Sequence, residues 1–418
     1  MHTISTLANG LTIVTAELPH THSATVSIYV GAGSRYETDE EAGLSHFLEH
    51  MLFKGASRRK TAREISEAIE TFGGTHNAAT DREVTVYYAK VPHTATFEAL
   101  DILCDMVRDP VMDGRELEKE RHVILEELAG IEDSPEEIAG ILVDETLWPQ
   151  QPLGRNIGGT PASVRAISRD AVTRYFAGQH VPSNMVVSVA GNIESGAVVE
   201  AVDRWLGDMP GREPGSWYPA VGRNGQPRIA VRDKHTEQAH LCISYPTVSL
   251  SHPDRFAVDL LSALLGEGMS SRLFLELREE RALVYDIHTY PSEYRDAGAL
   301  TVYAGCEPED ARLTTEIALT EIEKALNTLT EAELEKAKHM ALGRIQLRME
   351  DTRAVAGWQG SQQLLLGRVL TVEEVAEQLN SITLDDLRRV GNEYLAPSRA
   401  VIAAVGPFDG GSAFDGLI

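Results

Sequence analysis

The chain has 418 residues, 43% of them hydrophobic and 24% charged, and a formal net charge of −25 from 38 basic and 63 acidic side chains. Its length predicts two or three domains, and no apolar run reaches the roughly 18 residues that a membrane-spanning helix needs. The negative charge argues against nucleic acid or an anionic membrane as a partner. Acidic groups lining a cavity would attract cationic peptides, although most of the excess is expected on solvated helix surfaces.

The N-terminal residues bear on the cellular compartment of the protein, and the cysteines on whether it has disulfides or a thiolate metal cluster. The first residues lack the basic and apolar segments of a secretory signal, which predicts a cytoplasmic protein. Cys104, Cys242 and Cys306 are too few and too far apart for a disulfide framework or a thiolate metal cluster. We expect them to be small buried hydrophobic residues.

The first predicted elements are two strands followed by an amphipathic helix. Alternating apolar residues predict strands over 11–16 and 24–30. The stretch 43–55 is predicted as a helix of about three turns, because its apolar residues recur with helical spacing. They are Leu44, Phe47, Leu48, Met51 and Leu52. Thr38 and Glu41 form a candidate capping box before this helix.

Two histidines and a carboxylate share one face of that helix. His46 and His50 are four residues apart, and Glu49 follows His46 by three. Two imidazoles at this spacing can bind one zinc ion, and a carboxylate beside them can take a proton from water that the metal activates. His-x-x-Glu-His is the inverse of the commoner zinc-protease order. The alternative is an exposed helix face with two histidines and no metal, so a third ligand is needed.

The rest of the first half alternates helices with strands. The sequence predicts a strand over 84–91, which the segment 77–81 could extend, and a strand over 185–190. Helices are predicted over 61–72, 97–107 and 116–130. On the last of these, Glu120 and Glu127 are seven residues apart and therefore point in the same direction.

The pattern of the first half recurs in the second half. Residues 116–125 match 333–342 at an offset of 217, and 44–48 match 261–265 at the same offset. The sequence therefore predicts two homologous domains from a tandem duplication. We place the zinc-bearing catalytic domain at 1–210, a Gly- and Pro-rich linker at 211–226, and the degenerate repeat domain at 227–418.

The two halves differ at the polar positions of the candidate site. Core leucines are kept, whereas five polar residues are lost as a group in the second half. His46, Glu49, His50, Glu120 and Glu127 lie opposite Ala263, Gly266, Glu267, Ala337 and Arg344. This joint loss nominates Glu127 as the third zinc ligand and Glu120 as a carboxylate that orients a histidine.

With these residues the sequence resembles the pitrilysin/insulinase family of zinc metallopeptidases, in particular its short, processing-peptidase-like branch. The most specific match is His46-x-x-Glu49-His50 followed, after 76 residues, by Glu127. Supporting segments include Gly-Gly-Thr-His-Asn-Ala at 73–78 and the Arg278/Tyr285 pair. The resemblance implies a zinc metalloendopeptidase with one Zn²⁺ per chain, ligated by the two histidines and Glu127, in which Glu49 is the general base on zinc-bound water.

The resemblance also implies how substrate is held. Asn77 and Ala78 would lie on an edge strand to which the substrate backbone adds. Arg278 and Tyr285 would contact substrate near the scissile bond, with Tyr285 steadying the oxyanion. From the residues alone, Arg278 is interpreted as a surface arginine and Tyr285 as a core aromatic. Ala79 replaces the aromatic residue that is usual in the family, which would alter the adjacent subsite.

The family pattern finally implies a fold and an assembly. The fold is α+β, with two similar domains that each have a mixed, mainly antiparallel sheet packed with helices, in agreement with the duplication. Members of this length pair into a four-domain chamber that admits peptides or unfolded polypeptide segments. Because this chain has both the zinc set and the Arg278/Tyr285 pair, we expect a homodimer whose two sites each take that pair from the partner. A heterodimer with a degenerate paralogue is the alternative. Two rival functions are a non-catalytic assembly subunit and a zinc-dependent protein that binds peptides without cutting them.

Overall fold

The computed structural model describes residues 2–223, 225, 227–408 and 411–418, and these form two β-sheets and a set of α-helices. The strands are β1 (His2–Thr6), β2 (Thr12–Glu17), β3 (Ser23–Val30), β4 (Thr75–Thr80), β5 (Thr85–Pro92), β6 (Met185–Gly191), β7 (Ile229–Asp233), β8 (Ala239–Thr247), β9 (Val284–Glu293), β10 (Gly298–Cys306) and β11 (Val401–Gly406). The α-helices are α1 (Leu44–Leu52), α2 (Ala62–Glu70), α3 (Thr96–Arg108), α4 (Gly114–Glu132), α5 (Pro135–Leu147), α6 (Pro161–Ala166), α7 (Arg169–Gln179), α8 (Ser195–Leu206), α9 (Arg255–Gly266), α10 (Ala311–Thr328), α11 (Glu331–Arg348), α12 (Thr352–Leu366), α13 (Val372–Ser381) and α14 (Leu384–Tyr394). A π-helical segment, Phe274–Glu280, precedes β9.

The strands form two mixed sheets with the same internal topology. The first sheet has the order β1-β2-β6-β3-β5-β4 and the second the order β7-β11-β8-β10-β9. In each sheet one parallel pair, β2/β6 or β7/β11, is followed by three antiparallel pairs. The last five strands of the first sheet therefore correspond one by one to the second sheet. This confirms the predicted α+β fold and its tandem duplication.

The two compact units of the chain each contain one helix from the other half of the sequence. The first unit comprises described residues up to 128, 156–218 and 346–371, and the second comprises those of 129–155, 219–345 and 372–418. Helix α5 packs on β8 and β11 of the second sheet, and α12 packs on β3 and β6 of the first. The predicted domain boundaries follow chain order and stay a prediction. They do not describe this exchange.

Apolar side chains on α5 and a glycine on α12 allow these contacts. Ile138 and Val143 of α5 belong to a buried cluster with Cys242 and Ala403 of the second sheet. On α12, a Cβ at Gly360 would lie 2.3 Å from Cε2 of Tyr29 on β3, closer than packed carbon atoms approach. Glycine is therefore required where α12 crosses this strand.

Two smaller predictions have clear outcomes in the fold, and the linker stays a prediction. The segment 77–81 does not extend the following strand: β4 is a separate edge strand that pairs with β5, because the chain reverses where Asp81 N–H donates to the Val84 carbonyl at 2.8 Å. The three cysteines are buried and free, as expected. Outside Asn224 and Gln226, which lie beyond the described residues, the predicted linker 211–226 contains neither helix nor strand.

None of the described helices combines enough length with enough apolar character to cross a membrane.

Candidate metal centre

Helix α1 is held at its N-terminus by a buried carboxylate. Its first residue follows Gly43, whose φ of 92° lies in the left-handed region that favours glycine. The amides of Gly43 and Ser45 donate to the two oxygens of Glu37, at 2.9 and 2.6 Å. The predicted capping box of Thr38 and Glu41 is therefore wrong as the cap of α1. Glu37 replaces it because a carboxylate satisfies free N–H groups and complements the positive end of the helix dipole.

The three predicted ligand side chains converge beside α1. The Nε2 atoms of His46 and His50 are 3.3 Å apart, and Oε2 of Glu127 on α4 lies 3.7 Å from each of them. The helical spacing places the two rings on one face, and the packing of α4 brings in the carboxylate. Among the described residues, no other group of three or more His, Cys, Asp or Glu side chains brings its ligand atoms close enough to hold a metal ion.

These separations fit a tetrahedral zinc site. Two nitrogen ligands at 2.0–2.1 Å from a tetrahedral ion would lie about 3.3 Å from each other. Two imidazoles and one carboxylate form a three-ligand set of the kind that leaves a fourth position open in catalytic zinc sites. Burial, followed by the field of His50, lowers the pKa of His46 to about 4. That ring is therefore neutral near pH 7, which is the form that binds metal.

Glu120 and Lys54 form a chain of contacts behind His50. Oε2 of Glu120 lies 3.1 Å from Nδ1 of His50, and its Oε1 lies 2.7 Å from Nζ of Lys54. An ionised carboxylate only accepts hydrogen bonds, so Nδ1 of His50 carries the proton and Nε2 presents its lone pair. This contact with Nδ1 is the one that an orienting carboxylate would make, and Lys54 holds the carboxylate of Glu120 in place.

We expect Glu120→Ala to weaken zinc binding by about 10–100-fold, because His50 would lose the contact that fixes its tautomer and ring orientation. Competition with a chromophoric zinc chelator would measure the change. Glu126→Ala is the matched control, since Glu126 is an exposed carboxylate on the same helix. Equal zinc affinity in both variants would contradict the orienting role.

Glu49 lies on the same face of α1 and is held by a hydroxyl. Thr80 at the end of β4 donates from Oγ1 to Oε2 of Glu49 at 2.5 Å. Burial, partly offset by this hydrogen bond, raises the pKa of Glu49 above its usual value. A raised pKa brings a carboxyl closer to the range in which it can take up and release protons near neutral pH.

The candidate substrate-binding residues of the first unit lie on an edge strand. Asn77 and Ala78 belong to β4, which pairs only with β5 and ends the sheet. Along β4, Thr75, Asn77 and Ala79 are exposed while His76, Ala78 and Thr80 are half-buried. The free edge therefore offers backbone groups to a further strand.

Arg278 and Tyr285 belong to the second unit. The Arg278 guanidinium lies 5.4 Å from the centre of the Tyr285 ring, and its Nη1 donates to the Val284 carbonyl at 3.3 Å. Both residues line a cavity of about 490 Å³ together with His240 and Tyr303. Tyr285 is 73% exposed, so its interpretation as a core aromatic is wrong. It lies on edge strand β9, where its side chain points to solvent.

The second half has an ion pair at positions that correspond to two of the ligands. Glu267 corresponds to His50 and Arg344 to Glu127, and the guanidinium of Arg344 pairs with Oε2 of Glu267. Oε1 of Glu267 accepts a hydrogen bond from Ser262 at 2.8 Å. A positive side chain at the position of a ligand repels a metal ion, so the second half cannot reproduce this site.

Sequence reasoning missed Glu37, Thr80 and the contact of Lys54 with Glu120. The alternation of β4 could have placed Thr80 on the same side as Ala78. Nothing local in the sequence indicates which helix that side faces. Thr80 and Glu120 each reach α1 or the segment after it from a distant part of the sequence, whereas Glu37 caps α1 from the segment just before it.

The chain is similar to a known protein family along most of its length. The family model "Insulinase (Peptidase family M16)" matches residues 12–161, and "Peptidase M16 inactive domain" matches 166–341. A relative named "Uncharacterized zinc protease YmxG", from Bacillus subtilis, is 35% identical over 96% of this chain and 97% of its own length. An uncharacterized zinc protease from Rickettsia felis is 32% identical over 97% of this chain and 98% of its own.

Solved structures show the same fold. The crystal structure of a protease from Helicobacter pylori has a TM-score of 0.91 at 24% identity and covers 97% of this chain and 99% of its own. A chain in Complex III2 from Candida albicans has a TM-score of 0.86 at 20% identity, covering 97% and 96%. At these identities the likeness concerns the fold alone.

Proposed function

The chain belongs to the insulinase family, peptidase family M16, and on this premise we propose that it is a zinc-dependent metalloendopeptidase of the inverted His-x-x-Glu-His type. Its substrates are peptides or unfolded polypeptide segments, and each chain holds one Zn²⁺. The observation that carries the proposal is the convergence of His46, His50 and Glu127, with atom separations that suit zinc, beside the half-buried carboxylate of Glu49.

The proposed chemistry divides between the metal and Glu49. Bound zinc supplies Lewis acidity, which activates water and polarises a carbonyl. Glu49 takes the proton of the attacking water and returns it to the leaving amine as the peptide bond breaks. The hydrogen bond from Thr80 fixes one oxygen of Glu49 and leaves the other available for this proton. Burial favours both the uptake of the proton from water and its release to the amine, because it raises the pKa of Glu49 toward neutral pH.

The substrate backbone is proposed to add to the free edge of β4 at Asn77 and Ala78. Main-chain hydrogen bonds would then give affinity with little side-chain selection. Small side chains at Ala78 and Ala79 leave room beside that edge. This mode requires an extended segment, which a folded domain does not offer.

Arg278 and Tyr285 are proposed to act in a homodimer with two sites. Tyr285 is exposed and can donate its phenol hydrogen to a developing oxyanion. The guanidinium of Arg278 beside its ring holds a positive charge near the same position. In this proposal each pair serves the zinc site of the partner subunit within a shared chamber.

The function is tested by following cleavage of a quenched, unfolded peptide. We expect cleavage that a chelator abolishes and that added zinc restores. A tightly folded protein containing the same peptide sequence should resist cleavage, and unfolding it should remove the resistance. Binding of zinc without any cleavage would contradict the proposal and favour a peptide-binding protein.

A further inference from the structure

We propose that Thr80 is a positioning residue for Glu49, and that through Thr80 the substrate-binding edge strand sets the orientation of the general base. The inference rests on the proposed function, but the contact that carries it is independent of any metal. In this proposal the Thr80 side chain of β4 orients Glu49 on helix α1. The backbone of the same strand forms the proposed substrate-binding edge.

The contact has the geometry of a strong hydrogen bond. Oγ1 of Thr80 donates to Oε2 of Glu49 at 2.5 Å, within the range of hydroxyl bonds to an ionised carboxylate. Both groups are partly shielded from water, which strengthens the bond relative to the same contact at an exposed surface. Rotation of the Glu49 carboxylate would break it. Oε2 is therefore held and Oε1 is the oxygen free to accept a proton.

Thr80 is itself fixed by the hairpin between β4 and β5. It is the last residue of β4 and pairs directly with Thr85, the first residue of β5. The Thr85 hydroxyl is buried and donates to the Ala32 carbonyl at 3.1 Å. Its oxygen lies 3.4 Å from Oγ1 of Thr80, at the outer limit of a hydrogen bond. The hydroxyl proton of Thr85 is thus used by Ala32, and that of Thr80 by Glu49.

The alternation of β4 connects this contact to substrate binding. Asn77 and Ala79 are exposed, whereas Ala78 and Thr80 face the side on which α1 packs. A peptide paired to the free edge would restrain the backbone of β4, including the residue that holds Glu49. A general base must lie within hydrogen-bond reach of the proton it removes. Substrate pairing on β4 would therefore reduce the freedom of the base at the moment of reaction.

Steady-state kinetics on an unfolded peptide test the proposal. Thr80→Val removes the hydroxyl at nearly constant volume, and we expect kcat to fall about 10–100-fold, the range for a lost hydrogen bond to a charged group. KM and the zinc content should stay at wild-type values, because the substitution changes neither a metal ligand nor the backbone of the edge strand. Thr80→Ser keeps the hydroxyl and should retain kcat within about threefold.

Thr3→Val is the matched control, because it makes the same substitution at an exposed position on β1, the strand at the opposite end of the same sheet. It should leave kcat unchanged. The proposal is overturned if Thr80→Val keeps wild-type kcat, or if Thr80→Ser loses as much as Thr80→Val. A rise in KM with unchanged kcat would also overturn it, since that pattern belongs to a binding residue.

Infrared difference spectra separate this inference from the proposed function. A carboxylate band that is absent in Glu49→Gln identifies Glu49, and we expect that band to shift in Thr80→Val but not in Thr80→Ser. The shift does not require turnover, so it can be measured even if no peptide is cleaved. Identical Glu49 bands in wild type and folded Thr80→Val would overturn the proposal. Melting temperatures establish that the variants are folded, and Thr80→Ala replaces Thr80→Val if the valine is not accommodated.

Discussion

Replacing Glu49 by glutamine is expected to lower kcat by about 10²–10⁴-fold, the range that general-base catalysis contributes. The amide has nearly the same shape as the carboxylate and can still accept the hydrogen bond of Thr80, but it cannot take a proton from water. None of the three ligand side chains changes, so zinc content should remain that of the wild type. Turnover of a quenched peptide and metal analysis on the same sample would measure both.

The matched control is Glu98→Gln, which makes the same change at an exposed position at the start of α3. It should leave both turnover and zinc unchanged. Wild-type turnover in Glu49→Gln would mean that another group takes the proton. Loss of zinc from Glu49→Gln would instead make Glu49 part of the metal site, and the assignment of roles among the α1 side chains would be wrong.

Two inactive variants are expected to regain activity when their subunits are exchanged. His46→Ala removes a zinc ligand and Tyr285→Ala removes the proposed oxyanion donor, so each homodimer should be inactive. In a mixed dimer, the chain with intact ligands would receive Tyr285 from its partner, which restores one site of two. With random exchange at equal amounts, half the dimers are mixed, so about one quarter of wild-type activity should return.

A control mixture distinguishes a shared site from one built within a chain. Wild type is mixed at equal amounts with the double variant His46→Ala/Tyr285→Ala. A site completed by the partner predicts about one quarter of the activity of undiluted wild type, because mixed dimers have no complete site. A site within one chain predicts about one half. Failure of the two single variants to complement, with one half retained here, would refute the dimeric site.

The local features of the site could be predicted because they depend on spacing along the chain. His46, Glu49 and His50 share a helix face wherever α1 is packed, since helical periodicity is a property of the backbone. The duplication could also be read from matching segments at one offset. Comparison of the halves then pointed to Glu127 on a distant helix, because the metal-site residues were absent together from the second half.

The spacing of residues along the chain does not indicate which segments contact one another in the fold. The hydrogen bond from Thr80 to Glu49 joins β4 to α1, and the contact of Lys54 with Glu120 joins the segment after α1 to α4. Glu37 caps α1 from the segment before it. The exchange of α5 and α12 has the same character. Each helix is predicted by its own sequence, but its partner sheet lies in the other half of the chain.

By itself, therefore, the sequence determined the duplication, the metal-binding face of α1 and the nomination of its third ligand, all of which follow from local periodicity or internal repetition. Only the tertiary structure decided the separation of the ligand atoms, the hydroxyl that holds Glu49 and the exposure of Tyr285 on its edge strand. The reason is physical. Periodicity fixes the direction of a side chain within its own element, whereas contacts between elements arise from burial and packing over the whole chain.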